Sequence, residues 1–563
     1  MQRKKWLIVL ALLFAAAVIR VAVAHYFAND GPDDGRVYAQ IARNVLEQHV
    51  YSHADQPPYE PSLIRLPGYP LFLAAIYAVF GHANNGAVRI VQALIDSLTC
   101  GLVALLAFYW QPDEKRKFVT ALAALIIAAI CPFTMIYAAT ILTEVPTMFL
   151  AVAMCLAATL AFRNTFTTEG TEKAQRKPGE FRQALLWWCV AGLLGGMAVL
   201  LRPDSGLFAA AIGFTLVLSC LFRFRERWRA TLIAASVFSL AFILVLGPWT
   251  IRNARVFHLF QPLAPTHGEM PGEFVPRGYN LWLRTWLDDE VFIGPFLWSL
   301  DTDQIKLDQI PPQAFDSEGE KNRVAALLEK YNHPPDSESA STTDAATDQP
   351  QPQPSPTPED QTGDESEQGD KNDQADESDN GDKDNEDESA QPPEPGSVEM
   401  TPEIDAGFAQ IARERIARHP VRYYLWLPVK RAGTMWLNTH SQYWPWDGEL
   451  FPLDDLDHDT HQQYWLPLFA ALTWVYTLLG LAGGWILWRS RKFAARRWLL
   501  LAALVIFLRL AFFSTMENPE PRYVVEFFPF LALLGGIAMT RFWPIQSTLK
   551  IFSSRQDDKV SSE

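Results

Sequence analysis

About ten apolar stretches, each near the length a lipid bilayer demands, constrain this chain more than any other feature. They lie over 6–24, 87–110, 118–138, 141–162, 184–201, 207–222, 231–249, 464–488, 498–513 and 524–539. Crossing a bilayer core takes roughly 20 apolar residues of helix. Inside it only helices or closed barrels satisfy every backbone N–H and C=O. Runs of this length therefore predict an all-α polytopic membrane protein. The first run follows the basic start MQRKK and ends in Ala22-Val23-Ala24. That ending also suits a cleaved signal peptide; the many spans that follow favour a retained helix.

Bulk composition conceals this pattern. A formal charge of -15 and a mean hydropathy of zero suggest a soluble acidic protein. Yet residues 331–400 hold 21 Asp and Glu against 2 Lys, while the rest of the chain holds 42 acidic against 46 basic residues. The acidic segment has almost no large apolar side chain, so it cannot offset its ordering entropy, and 335–400 is expected to be a disordered insert. A solvated spacer is the plain reading of it; an acidic tether for cations, cell-wall material or a basic partner is the alternative.

Loop charge sets the orientation, because short cytoplasmic loops carry the excess of Lys and Arg. MQRKK, DEKRK at 113–117, the region 163–182, FRFRERWR at 222–229 and RSRKFAARR at 489–497 all fall on one side of ten spans. Both termini are then cytoplasmic in an inner-membrane protein. The Asp33-Asp34 loop, Arg202-Pro203-Asp204, the 250–463 loop and MENPEPRY fall outside. Residues 66–80 are too short to cross, and crossing would invert every later loop. They are expected to form an outer interfacial or re-entrant helix beside the amphipathic stretch 37–48. The expected organisation is a membrane module over 1–253 with a first outside loop at 25–86, a large outside loop over 254–463, terminal spans over 464–541 and a cytoplasmic tail over 542–563.

All five cysteines lie in or at the ends of apolar runs, so no disulfide framework is indicated. Neither a Walker loop, a GxGxxG fingerprint nor a Cys/His metal spacing occurs, and no nucleic-acid partner is indicated. What the outer face does offer is charge at span ends: Asp34, Glu144, Arg202, Arg252 and Arg522, with Arg65 and Tyr38 nearby. Charge at membrane depth is costly and usually faces a cavity or a partner, which points to a shared pocket. Carboxylates beside guanidinium groups suit a reaction between a hydroxyl and a phosphate ester.

The order of these residues resembles the glycosyltransferase C superfamily, in the branch of protein O-mannosyltransferases and bacterial aminoarabinose or hexose transferases. The resemblance rests on Asp34 four residues before Tyr38, Ala42-Arg43-Asn44 and Arg65-Leu66-Pro67-Gly68-Tyr69-Pro70. Further along it rests on Gly81, Arg89-Ile90-Val91-Gln92, Thr143-Glu144-x-Pro146, Arg202-Pro203, Pro248-Trp249-x-x-Arg252-Asn253 and Arg522-Tyr523. It covers 1–253 best and weakens beyond. Many members have Asp-Glu where this chain has Asp34-Gly35, which leaves Asp33 as the one possible substitute for the second carboxylate.

The resemblance implies a helical bundle of the glycosyltransferase C type. It also implies inverting transfer of a sugar from a polyprenyl-phosphate donor on the outer leaflet to an acceptor hydroxyl of unknown identity. Asp34 would be the general base and Glu144 a second catalytic carboxylate. Arg65, Tyr38, Arg202, Arg252 and Arg522 would bind lipid phosphate or sugar. No cofactor is implied with certainty, and a divalent metal on Asp33, Asp34 and Glu144 stays open. Each residue also has a plainer reading. Asp34 suits a helix N-cap, Glu144 a helix N-terminal charge, and the arginines snorkelling anchors. Trp249, Trp282, Trp286, Trp298, Trp436, Trp444 and Trp446 suit an interfacial belt better than sugar platforms. A transporter or flippase would instead place charge mid-span, and a scaffold would depend on the acidic insert.

Overall fold

The computed structural model describes residues 2–30, 33–165, 178–221, 224–334, 398–438, 443–446, 448–451, 453 and 460–542. Every regular element among them is helical. In chain order these are α1 (Gln2–Tyr26), α2 (Asp33–Glu47), α3 (Gly68–Phe80), α4 (Asn85–Trp110), α5 (Lys117–Ala129) and α6 (Pro132–Met135). Next come α7 (Glu144–Thr165), α8 (Pro178–Leu201), α9 (Gly206–Leu221), α10 (Phe224–Val256), α11 (Arg277–Leu283) and α12 (Glu318–Asn332). The series closes with α13 (Pro402–Arg418), α14 (Leu427–Leu437), α15 (Thr460–Arg489), α16 (Phe493–Phe513) and α17 (Phe528–Phe542).

Eight helices among the described residues are long and apolar enough to cross a membrane, and the bent α5–α6 pair makes nine. The tenth expected stretch is α16, a full-length helix that carries Arg496, Arg497 and Arg509. The fold is thus all-α and polytopic, as the apolar runs predict. The short apolar helix α3 stays too short to span, at about 20 Å by helical rise, and packs beside the amphipathic α2.

Close helix approach depends on small residues, since lipid offers no hydrophobic drive between helices. A Cβ on Gly192 of α8 would lie 2.3 Å from the Phe238 carbonyl oxygen of α10, so only glycine permits that seam. At one end of the bundle four of the five basic segments meet. Lys5 sits 4.9 Å over the Phe118 ring and Arg163 4.6 Å over Tyr109, while Arg116 bonds the Thr540 carbonyl and Lys492 that of Pro112.

The break between α5 and α6, a 56° bend, has a sequence cause. Pro132 has no N–H, so the Ala128 carbonyl loses its helical partner. Arg20 of α1 fills the gap, donating to the carbonyls of Ala128 (3.1 Å) and Ala129 (2.9 Å) and to Cys100 Sγ (3.1 Å). Its charge is neutralised by Asp96 of α4 at 2.5 Å, with Arg20 wholly buried. Both residues sit inside runs that read as uninterrupted apolar spans, and this mid-span charge is a correction to the expectation that charge gathers only at outer ends.

The chain divides into two compact units, 1–298 with 405–563, and 299–404. In the second, Ser317 caps α12 by accepting from Glu320 N. Val324, Leu328 and Tyr331 are buried with Val398 and Met400, and Asp301 accepts from Met400 N at 2.7 Å. The expected insert over 335–400 lies outside the described residues except for 398–400, of which Val398 and Met400 are buried and Glu399 is exposed.

The tryptophans depart from expectation. Trp282 and Trp286 are fully buried against Tyr279, Phe408 and Phe296, and Trp249, Trp444 and Trp446 are buried too, so these rings build core instead of an exposed belt. Of the remaining two, Trp298 is 53% exposed and Trp436 is partly buried.

Removing one partner of a buried ion pair strands the other charge, typically at about 3–5 kcal/mol. Asp96→Leu should therefore lower the thermal unfolding midpoint in detergent sharply. The double change Arg20→Leu/Asp96→Leu should recover part of the loss, as a double-mutant cycle of melting curves would reveal.

Candidate active site

At the end of the bundle away from the basic segments, α2, the loop before α3, the start of α7, the α8–α9 junction, α16 and the 3-10 helix before α17 converge through charge. Asp34 is the second residue of α2, inside the helix and so not its N-cap. One carboxylate oxygen accepts from Arg65 Nη2 at 2.6 Å and the other lies 3.6 Å from Arg522 Nη2. Arg522 belongs to the 3-10 helix Pro521–Phe527 and also pairs with Glu520. Glu520 in turn accepts from the Tyr523 hydroxyl at 2.6 Å.

Arg202 sits where α8 ends. Pro203 disfavours helical backbone at the residue before it, and Arg202 is extended, with φ -146° and ψ 125°. Its guanidinium reaches Glu144 at 2.9 Å, Asp204 at 3.2 Å and Glu526 at 3.6 Å. Arg509, wholly buried on α16, completes the set with Asp204 at 2.7 Å and Glu526 at 2.9 Å. The ring of Tyr523 joins the two groups, with Arg522 at 5.3 Å and Arg202 at 5.5 Å from its centroid.

Tyr38, one helical turn beyond Asp34, packs edge-on against Tyr69 at 5.1 Å. Burial, reinforced by the Asp34 carboxylate, holds its hydroxyl well above the usual phenol range. Tyr69 donates to Gln92, and Gln92 donates to the Thr140 carbonyl at 2.7 Å, so α3 is tied through α4 to the segment that follows the bend.

The structure thus brings together Asp34, Arg65, Tyr38, Glu144, Arg202 and Arg522. Arg252 is not among them. It donates to the Ser62 carbonyl at 2.8 Å and lies over Trp249, Phe257 and Tyr51. Its link to the others is indirect, through the Tyr51 hydroxyl on the Arg65 carbonyl at 3.0 Å.

Gly35 explains the departure from the Asp-Glu pattern. A Cβ there would lie 2.6 Å from the Asp30 carbonyl oxygen and 2.9 Å from that of Ile141, so no larger residue fits without backbone movement. The side chain of Asp33 lies outside the described residues. Among the described residues no group of three His, Cys, Asp or Glu side chains is placed to hold a metal ion.

Asp204, Arg509, Glu520 and Glu526 are the members that sequence reasoning missed. The available signal was the ionisable residue inside an apolar run, as in VIFLRLAFF and YVVEFF, which by itself marks a site.

No family model matches the chain, and no curated protein matches it. Among solved structures it is similar to ArnT from Cupriavidus metallidurans in the apo state, with 15% identity over 96% of this chain and 78% of that chain and a TM-score of 0.34. The same protein bound to undecaprenyl phosphate gives 15% identity over 94% of this chain and 78% of that chain, again with a TM-score of 0.34. At that level the likeness assigns no role to any residue here.

Near Glu520 stands Glu290, whose carboxyl is pushed up to about 8 by burial and then by the charges of Asp289, Glu520 and Glu449. Its folded pKa is raised, so the folded state prefers the neutral acid. The stability it contributes is complete below the unfolded value of about 4.3 and is lost as pH rises through about 8. Glu290→Gln should melt like the wild type at about pH 4, below the unfolded value, and at a higher temperature than the wild type at about pH 9, above the folded value of about 8.

Proposed function

We propose that this protein is a membrane glycosyltransferase. It moves a sugar from a polyprenyl-phosphate donor to an acceptor hydroxyl on the outer face of the cytoplasmic membrane, with inversion at the anomeric carbon. One observation carries the reading. The Asp34 carboxylate is held between Arg65 and Arg522, and it is partly exposed at 29% while the arginine–carboxylate network behind it is buried.

A carboxylate within reach of an acceptor hydroxyl serves as general base. Guanidinium groups beside it take the charge that gathers on the lipid phosphate as the glycosidic bond breaks. Arg65 and Arg522 are the arginines accessible for that task, at 29% and 13% exposure. Arg202 and Arg509 are committed to Glu144, Asp204 and Glu526, and they fix the frame in which Glu144 sits. The ordered motif series from Asp34 to Arg522 supports the same assignment. With the basic loops inside, the termini are cytoplasmic and the site faces out.

The mid-span pair Arg20–Asp96 is the observation that favours the alternative of a transporter or flippase. Its donors are spent on protein groups, however, and the cavity beside Asp96 and Cys100 is about 10 Å³, room for one water. That is a structural clamp rather than a path.

Incubation of purified protein with a radiolabelled polyprenyl-phosphate hexose tests the reading. Loss of lipid-linked label should fall by about 10²-fold or more in Asp34→Asn, the usual contribution of a general base. Equal turnover in both proteins would remove Asp34 from the chemistry.

A further inference from the structure

Residues 420–437, just after α13, form one continuous helical run, with a π-helical turn over Arg422–Trp426 leading into α14. One face of the run is built in. Leu427, Arg431 and Met435 are buried, and Arg431 donates to the carbonyls of Arg284, Leu287 and Ser514. The opposite face is apolar and open: Val421 69%, Tyr424 69%, Leu425 62%, Trp426 62% and Val429 55% exposed. Val421, Tyr424, Leu425 and Val429, at offsets of three, four and eight residues, have the spacing of a single helical stripe, and Trp426 flanks it.

The depth of this stripe follows from one hydrogen bond. Trp436 Nε1 donates to Thr477 Oγ1 of α15 at 2.8 Å. Thr477 is about 18 Å of helix above Arg489, the basic end of that span. Leu425 can rise at most about 16 Å beyond Trp436, and Val421 about 22 Å. Even fully upright, the stripe stays within the roughly 40–45 Å of bilayer that includes the headgroups. Any tilt brings it deeper. On α15 itself Trp474, Leu478 and Leu481 are exposed apolar residues, so the span to which Trp436 is tied presents an apolar surface of its own.

We propose that 420–429 is an interfacial helix whose exposed stripe is seated in the outer leaflet, with lipid acyl chains as its partner. Bilayer insertion then bears on the site, because α14 packs on the 3-10 helix that carries Arg522, Tyr523 and Glu526, through Met435 against Val524 and Phe527. This inference needs only the spans and not the proposed reaction.

The test is site-directed spin labelling in phospholipid nanodiscs. Val421→Cys, Tyr424→Cys, Leu425→Cys and Val429→Cys each carry a nitroxide in a Cys189→Ala background, the other native cysteines being buried. Gln410→Cys is the reference from an exposed polar position. The labels on the stripe should collide with oxygen several-fold more often than with a water-soluble nickel complex, and the reference should show the reverse. Nickel accessibility on the stripe equal to that at Gln410 would overturn the proposal. Four independent positions keep the result decisive if one variant folds poorly.

Discussion

A charge below the surface of a bilayer must find its partner inside the protein, and this requirement shapes the chain at two levels. Deep in the bundle, Arg20 bonds the Ala128 carbonyl that Pro132 leaves without its helical partner and the Ala129 carbonyl beside it, and Asp96 neutralises it. Nearer the end away from the basic segments, Arg202 and Arg509 share Glu144, Asp204 and Glu526. Neither group adds much stability over well-packed apolar residues, since desolvation offsets most of the Coulombic gain. Their effect is to define geometry: each guanidinium fixes the relative placement of helices far apart in sequence.

The two levels are mechanically connected. The bend at Pro132 sets where residues 136–140 lie, and their carbonyls receive Arg89, Asn29 and Gln92. Gln92 holds Tyr69, which packs on Tyr38 one turn from Asp34. A proline in the middle of an apolar span thus has a consequence at the candidate base.

Much of the fold was legible because apolar length and loop charge are local signals. The ten stretches are helical, and α2 and α3 lie where amphipathicity and shortness put them. Of the residues the structure brings together, Asp34, Glu144, Arg202 and Arg522 could be read because each stands at a span end, and Arg65 and Tyr38 because they belong to the ordered motif series. Arg509, Glu526 and Arg20 were lost inside apolar averages, where one charge barely changes the hydropathy of a run. The buried tryptophans were misread for a related reason, as amphipathic rings look alike in sequence whether they meet lipid or one another. Gly35 shows the opposite case: an apparent defect in a motif is a place where two carbonyl oxygens leave no room for a side chain.

The central claim is that the accessible arginines around Asp34 receive a lipid-borne phosphate. Equilibrium binding of polyprenyl phosphate, without a sugar, to the protein in nanodiscs tests it most directly. Arg522→Gln should weaken binding about tenfold, the loss of about 1.4 kcal/mol expected of a charge-assisted contact, while Asp34→Asn, which releases both arginines from their carboxylate, should bind as tightly as the wild type or more so. Affinity unchanged by Arg522→Gln, or abolished by Asp34→Asn, would contradict the account.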